Sequence, residues 1–502
     1  MYERCPSPHL DTDRGMGRYL GVTSCTLLIV GRVIDISIFT TPSLILFYVG
    51  SVGASLMLWV LGFLLSFCGL FIWLEFGTMF PRSGGEKVYL EAVYRKPKYL
   101  ATAVFAANAI LFGFTANGCI DFAVYILAAA GQTSDHWWTE RGIALGVIFF
   151  VTLLHGLTPK TGVLIMNSLS IFKIVILLFV VVTGWAVLSG KTRVADPHYN
   201  FRNAFAGSST SSNDYAFATF NILNAYAGWS NVNYVMNNVR NPIRTLKIAG
   251  PLGLGICAVL YLLVNVAYFS AATKFSTVVL FFENVFGSAA ERASSNVITV
   301  VTHDLITELA KEGIPLPFGN KFWASNWPTG KSPLPGLIIH LIPSVIVIFA
   351  PPNNNVYSFI LDHEEYQYPQ QIINIFVVIG LFILRRKKPD AVRPFKVWWP
   401  LAVFFLVTVS FLLTVPLLEP GYGVPNYSYA SSTSIIHASP ILIPRLFYRP
   451  CLVGIGIMFA GVLYWAAWRI LLPKVFGYKL LPRKEMLDDG TVVTVFSKTK
   501  IQ

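Results

Sequence analysis

Val30-Gly31-Arg32-Val33-Ile34-Asp35-Ile36-Ser37-Ile38-Phe39-Thr40-Thr41-Pro42-Ser43 lies inside the first long apolar segment of the chain. An Arg, an Asp and a Pro fall there within eleven residues, a combination that membrane helices avoid. A charge near the bilayer centre costs about 2.5–3.5 kcal/mol on insertion scales and needs a partner or a cavity. Non-helical backbone at that depth is tolerated only where protein or a water-filled site surrounds it. The stretch reads as a broken membrane helix whose break faces a site, with the rest of the chain framing it.

The composition agrees. The 502 residues are 54% hydrophobic and 13% charged, with a mean hydropathy of +0.59, whereas a soluble domain carries about 25% charged residues. Residues 1–19 are polar and hold no apolar core ahead of a small-residue cleavage site, so no cleavable signal peptide is expected. The six cysteines (5, 25, 68, 119, 257, 451) are scattered, without metal-ligand spacing, and read as small apolar side chains. The formal charge of +13 could suggest nucleic acid, but its distribution fits membrane orientation instead.

Uncharged runs long enough to cross a bilayer predict helices near 20–46, 52–79, 99–130, 142–158, 161–189, 215–237, 248–272, 334–350, 356–385, 397–418 and 449–472, with a weaker segment near 289–303. Counting that segment gives an all-α membrane protein of twelve helices. With the N-terminus in the cytoplasm, the inner segments then hold 28 Lys and Arg and the outer loops 7, the bias of the positive-inside rule. With eleven spans the Arg385–Lys388 cluster and the basic C-terminal residues would face outward. The eighth segment is nonetheless short: only ten uncharged residues, Ala293 to Thr302, separate Arg292 from His303. Asn426-Tyr427-Ser428 is a glycosylation sequon in a loop expected outside. Residues 473–502 read as a polar cytoplasmic tail.

Three further motifs accompany the opening stretch. One is Leu74-Glu75-Phe76-Gly77-Thr78-Met79-Phe80-Pro81-Arg82-Ser83-Gly84-Gly85-Glu86. The second is Ala225-Tyr226-Ala227-Gly228-Trp229-Ser230-Asn231-Val232-Asn233-Tyr234-Val235, followed by Val239-Arg240-Asn241-Pro242. The third is Arg393-Pro394-Phe395-Lys396-Val397-Trp398-Trp399-Pro400. In this order and spacing the chain resembles the amino acid–polyamine–organocation superfamily over roughly residues 20–490. Within it, the chain is similar to the L-type amino acid transporters, and most to their fungal high-affinity methionine permease branch.

The resemblance implies a LeuT-like fold: two inverted five-helix repeats (20–189 and 215–385) plus two helices (397–472), with short cytoplasmic tails at 1–19 and 473–502. It implies breaks in helices one and six, where half-helix ends and free backbone groups bind a zwitterionic amino acid. The expected activity is secondary active uptake of a neutral, methionine-like L-amino acid with protons, in the plasma membrane. The expected partners are that substrate, protons and the lipid bilayer, with no nucleic acid, no obligate protein partner and no cofactor. The sequence carries no P-loop, hydrolase or metalloprotease motif, so an enzyme is not expected.

Ile34, Asp35, Ile36, Ser37, Ile38 and Phe39 align with the first break and Tyr226, Ala227, Gly228 and Trp229 with the second. Arg32 and Glu75 are expected to support gates. The family has a Gly-x-Gly-like pattern where this chain has Asp35-Ile36-Ser37. Asp35 either pairs with Arg32 away from the ligand or alters binding, because it puts a negative charge where a carboxylate should dock. A transport-impaired, receptor-like paralogue, or a carrier of cationic amino acids or polyamines, therefore stands as an alternative. Lys173 sits in mid-helix, flanked by twelve and seventeen uncharged residues, too central to snorkel. A buried amine can exchange a proton near neutral pH, and the resemblance implies a role in proton coupling; the alternative is a structural ion pair. Asp121, Asn108, Asn117, Arg240, Arg244, His155 and His303 read as interfacial, helix-pairing, orienting or structural.

Overall fold

The first apolar segment folds as two helices. In the computed structural model, α1 (Val22–Val33) ends at Ile34, whose extended backbone (φ −76°, ψ 96°) stops the helical ladder. α2 (Ser37–Val49) starts three residues later and carries Pro42 in its interior. Proline there removes the donor that would satisfy the carbonyl four residues back. The structure describes residues 18–35, 37–94, 96–112, 116–129, 137–192, 194, 196–271, 322–323, 325, 334–349, 363–414, 449–486 and 492–500.

The remaining helices follow the apolar runs. They are α3 (Val52–Met79), the short α4 (Glu86–Val93), α5 (Leu100–Phe112), α6 (Ala116–Ala129), α7 (Trp137–Leu157) and α8 (Pro159–Leu188). After them come α9 (Ser212–Ala225), α10 (Pro242–Ala271), α11 (Leu334–Phe349), α12 (His363–Lys387), α13 (Trp399–Thr414) and α14 (Arg449–Ala466). Among the described residues six helices are long and apolar enough to cross a membrane, and the shorter Val22–Val33, Leu334–Phe349 and Trp399–Thr414 are also apolar. The segment expected near 289–303, with His303, lies outside the described residues, as do most of 1–19 and the Asn426 sequon. The segment expected at 215–237 is helical only to Ala225; turns and two 3-10 segments, Asn231–Tyr234 and Met236–Asn238, follow. This is the second break.

Two apolar cores lie back to back. One gathers α1, α2, α3, α8, α9 and α10, and holds Ile29, Ile34, Trp59, Tyr226 and Tyr261. The other gathers the far end of α3 with α4, α5, α12 and α13 around Trp73, Phe76, Tyr89 and Phe405. Phe71, Trp229 and Phe395 touch both. A third cluster joins α6, α7 and α11, where the buried Arg141 donates to the Phe349 carbonyl (2.9 Å). Cys25, Cys68, Cys119 and Cys257 are buried, as apolar use of cysteine predicts.

The loop 196–211 closes over one end of the first core. Asn200 donates to the Phe269 carbonyl (2.8 Å), and the Ser209 N–H to that of Val49 (2.9 Å). The C-terminal residues depart from an all-α reading. β1 (Tyr478–Met486) and β2 (Val492–Lys500) pair antiparallel, with Tyr478 opposite Lys500. Val492-Val493-Thr494-Val495-Phe496 is rich in strand-forming side chains. Phe496 packs edge-on against Tyr99 (5.3 Å between ring centroids) and Trp468 (5.1 Å), and Arg469 lies over all three rings.

Candidate functional site

The two breaks meet. Gly228 has φ +116°, a left-handed conformation suited to glycine. A Cβ there would stand 2.5 Å from Arg32 Cγ, so the second break lies flush on the last turn of α1. Tyr261, from α10, ties the two together. Its hydroxyl donates to the Val33 carbonyl (2.5 Å) and reaches that of Ala225 (3.2 Å). These carbonyls belong to the last residues of α1 and α9, where helix ends leave acceptors without intrahelical donors.

The first break is built around Asp35. Its Oδ1 accepts from the Ser37 N–H (2.9 Å) and from the Ser37 hydroxyl. The carboxylate therefore caps the start of α2, favourable because a helix N-terminus carries free N–H groups and partial positive charge. These bonds of Asp35 run along its own chain. Ile36 lies outside the described residues. Ile34 and Ile38 are buried in the core, and Phe39 packs against it half-buried.

Lys173 is 5% exposed, and its Nζ donates to the Gly31 carbonyl (2.8 Å). Gly31 permits the approach of α8, since a Cβ there would lie 2.1 Å from Ser170 Oγ. Through the Gly31 carbonyl Lys173 grips the last turn of α1, directly before the break that holds Asp35. Lys173 and Asp35 thus converge on the same break.

Tyr226 is fully buried, with its ring 5.8 Å from Trp59 and 5.2 Å from Tyr261. Among the described residues neither its hydroxyl nor the Trp59 indole N–H has a hydrogen-bond partner. Ala227 closes a turn on the Asn224 carbonyl (2.9 Å). Trp229 points toward α3, edge-on to Trp73 (5.2 Å) and against Gly69, where a Cβ would stand 2.8 Å from the indole.

Glu75 belongs elsewhere. It is fully buried at the far end of α3 and accepts from Arg385 Nε (3.0 Å) and a second Arg385 nitrogen. The Val397 N–H also donates to it (2.8 Å), and Arg393 lies 3.4 Å away. This cluster fastens α3 to α12 and the loop after it. Among the described residues no group of three or more His, Cys, Asp or Glu side chains could hold a metal ion. Asn108 is buried on α5; the side chains of Asn117 and Asp121 lie outside the described set.

Two discontinuous helices, facing ends first across a buried polar junction, suit binding of a small zwitterion without covalent chemistry. Residues 20–443 match the family model described as amino acid permease. The chain belongs to the amino acid permease family. Among similar proteins, the high-affinity methionine permease of Saccharomyces cerevisiae is 36% identical over 94% of this chain and 83% of its own length. The low-affinity methionine permease of the same organism is 30% identical over 96% and 88%. The b(0,+)-type amino acid transporter 1 of Mus musculus is 27% identical over 80% and 83%.

The permease is therefore an integral membrane transporter of the amino acid–polyamine–organocation superfamily, not an enzyme, and its substrate class is amino acids. Sequence motifs found both breaks and Lys173 but missed Tyr261, Trp59, Trp73, Arg385 and Arg393. Tyr261 is one aromatic among many in an apolar helix, and Arg385 reads as an orienting charge. Glu86 was within a quoted motif but without a role. It is 1% exposed and accepts from Trp73 Nε1 (2.7 Å) and the Tyr234 hydroxyl. Burial pushes its carboxyl above the usual carboxylate range, against the pull of those hydrogen bonds.

Proposed function

We propose that the permease is a proton-coupled carrier of neutral, methionine-like L-amino acids. Substrate bridges the ends of α1/α2 and α9, the helices rearrange around it, and Lys173 exchanges the coupled proton. The reading includes twelve spans in two inverted repeats (20–189, 215–385), two added helices (397–472), both termini in the cytoplasm and a plasma-membrane location. The observation that carries it is the anchoring of Lys173 on Gly31 in the same break that meets Gly228. The methionine permease relatives support the cargo, and the 28 to 7 distribution of basic residues supports the orientation. The test is uptake of radiolabelled methionine in a permease-deficient host across external pH. Uptake that rises at acid pH, and loses that dependence in Lys173→Met, is expected. Surface-expressed protein that moves no amino acid sinks the reading.

One observation favours a second reading. Asp35 already occupies the first N–H of α2, a position suited to a substrate carboxylate. A site holding its own carboxylate disfavours a zwitterion or selects a cation. Competition of arginine and putrescine against methionine separates the two cases. If Asp35 blocks an otherwise working site, Asp35→Gly raises methionine uptake.

A further inference from the structure

At the end of α3 that holds Glu75, the turn after α3 and the chain after the second break interlock. The Gly85 N–H donates to the Asn233 carbonyl (3.2 Å). The Ser83 N–H donates to Asn237 Oδ1 (3.3 Å), and the Asn237 N–H returns to Ser83 Oγ (2.9 Å). Gly85 (φ +51°) lies against the Tyr234 ring, where a Cβ would stand 2.6 Å away. Gly77 brings α3 equally close to Asn233: a Cβ there would stand 2.5 Å from its Oδ1. At the centre of this seam is the Glu86 carboxylate, one oxygen held by Trp73 of α3 (2.7 Å) and the other by Tyr234. Trp73 in turn meets Trp229 of the second break edge-on at 5.2 Å. A continuous chain of contacts, Trp229 to Trp73 to Glu86 to Tyr234, leads from the candidate substrate site to the seam.

We infer that Glu86 is a positioning residue: it latches the segment after the second break onto α3 and holds the permease closed on that side, which the carrier reading places at the cytoplasm. A buried carboxylate is suited to this. Its hydrogen bonds are charge-assisted and strong while the seam is shut. Once Tyr234 withdraws, the vacated oxygen needs water, so closure and opening are two discrete arrangements rather than a continuum. A substrate that shifts Trp229 moves the indole against which Trp73 packs, and Trp73 is one of the two donors to the latch.

The variants are Glu86→Gln, which keeps the shape and removes the charge, and Tyr234→Phe, which removes one donor and leaves the Trp73 bond. Each is made in the full chain, alone and with Val235→Cys as a reporter; Val235 is buried directly after Tyr234. Inside-out membrane vesicles are treated with a membrane-impermeant maleimide, and the same protein without the reporter gives the background. The latch predicts that labelling at 235 accelerates about tenfold in both variants, the effect of losing one hydrogen bond to a charged group. In proteoliposomes it also predicts a KM for methionine that rises severalfold from the outer face and falls from the inner. A merely structural role lowers the active fraction and leaves both KM values and the labelling rate unchanged, and that result overturns the latch. If Glu86→Gln does not accumulate, Tyr234→Phe alone decides by the same readouts. The inference rests on the carrier reading for its orientation, but labelling does not need transport. Accelerated labelling without any amino acid uptake retires the carrier and keeps the latch, whereas normal uptake with unchanged labelling does the reverse.

Discussion

Tyr261 shows how much one hydroxyl can organise. It stands on an unbroken helix and reaches the terminal carbonyls of two broken ones, at 2.5 and 3.2 Å. Its ring is held by Trp59 at 5.5 Å and Tyr226 at 5.2 Å, so the hydroxyl is positioned by packing. Tyr261→Phe keeps that packing and strands the buried carbonyls, a loss of about 1–3 kcal/mol. The expected result is a lowered unfolding temperature for the purified permease and a reduced uptake rate, with protein still delivered to the membrane. An unchanged unfolding temperature would remove Tyr261 from this role. Asp35 is a residue-scale effect of another kind. Asp35→Gly removes both bonds to Ser37, so its uptake is read beside its unfolding temperature.

Elements are held at their ends. α3, α12 and the chain leading into α13 converge on Glu75, which serves Arg385, Arg393 and the Val397 N–H at once. Glu75→Gln leaves the partly buried guanidinium groups of Arg385 and Arg393 without their counter-charge, a loss below the about 3–5 kcal/mol of a fully buried pair. Fluorescence size-exclusion profiles of solubilised protein are expected to show a strongly reduced monodisperse fraction. Conversely, Arg386, outside this network and exposed, should tolerate alanine. The C-terminal hairpin is fastened by fewer groups, chiefly Phe496 between Tyr99 and Trp468. Aromatic pairs contribute about 0.5–1.5 kcal/mol each beyond their buried area. Phe496→Ala is therefore expected to speed proteolytic removal of residues after 477 severalfold while leaving uptake near wild type, read by limited proteolysis and transport side by side.

On the scale of the whole molecule, the candidate substrate site and the scaffold share few of the described side chains. Among the described residues Trp229, Phe71 and Phe395 touch both principal cores. Trp229→Ala empties space between them, and because Trp229 is partly buried its cost lies below the about 3–5 kcal/mol of a fully buried core aromatic. A fall in melting temperature together with a raised KM is expected; a change in KM alone would mean that Trp229 serves only the pocket.

Along the chain, the apolar segments mark a polytopic membrane protein, and the motifs resemble a permease whose first and sixth helices break. Bilayer insertion is close to a local sum of transfer energies along each segment, and the signals at the breaks, charges and a proline from Arg32 to Pro42 in an apolar segment and Gly228 beside Ala227, are local as well. Lys173 was legible because a charge amid apolar residues is anomalous wherever it folds. What the tertiary structure alone decided were the partners. Lys173 finds a carbonyl 142 residues away, Tyr261 one 228 away, and Glu75 an arginine 310 away. Glu86 became a candidate latch only when α3 and the chain after the second break were brought side by side. Such pairings depend on which helix faces meet, and helix faces are chosen by packing over the whole molecule, which no single stretch of residues encodes.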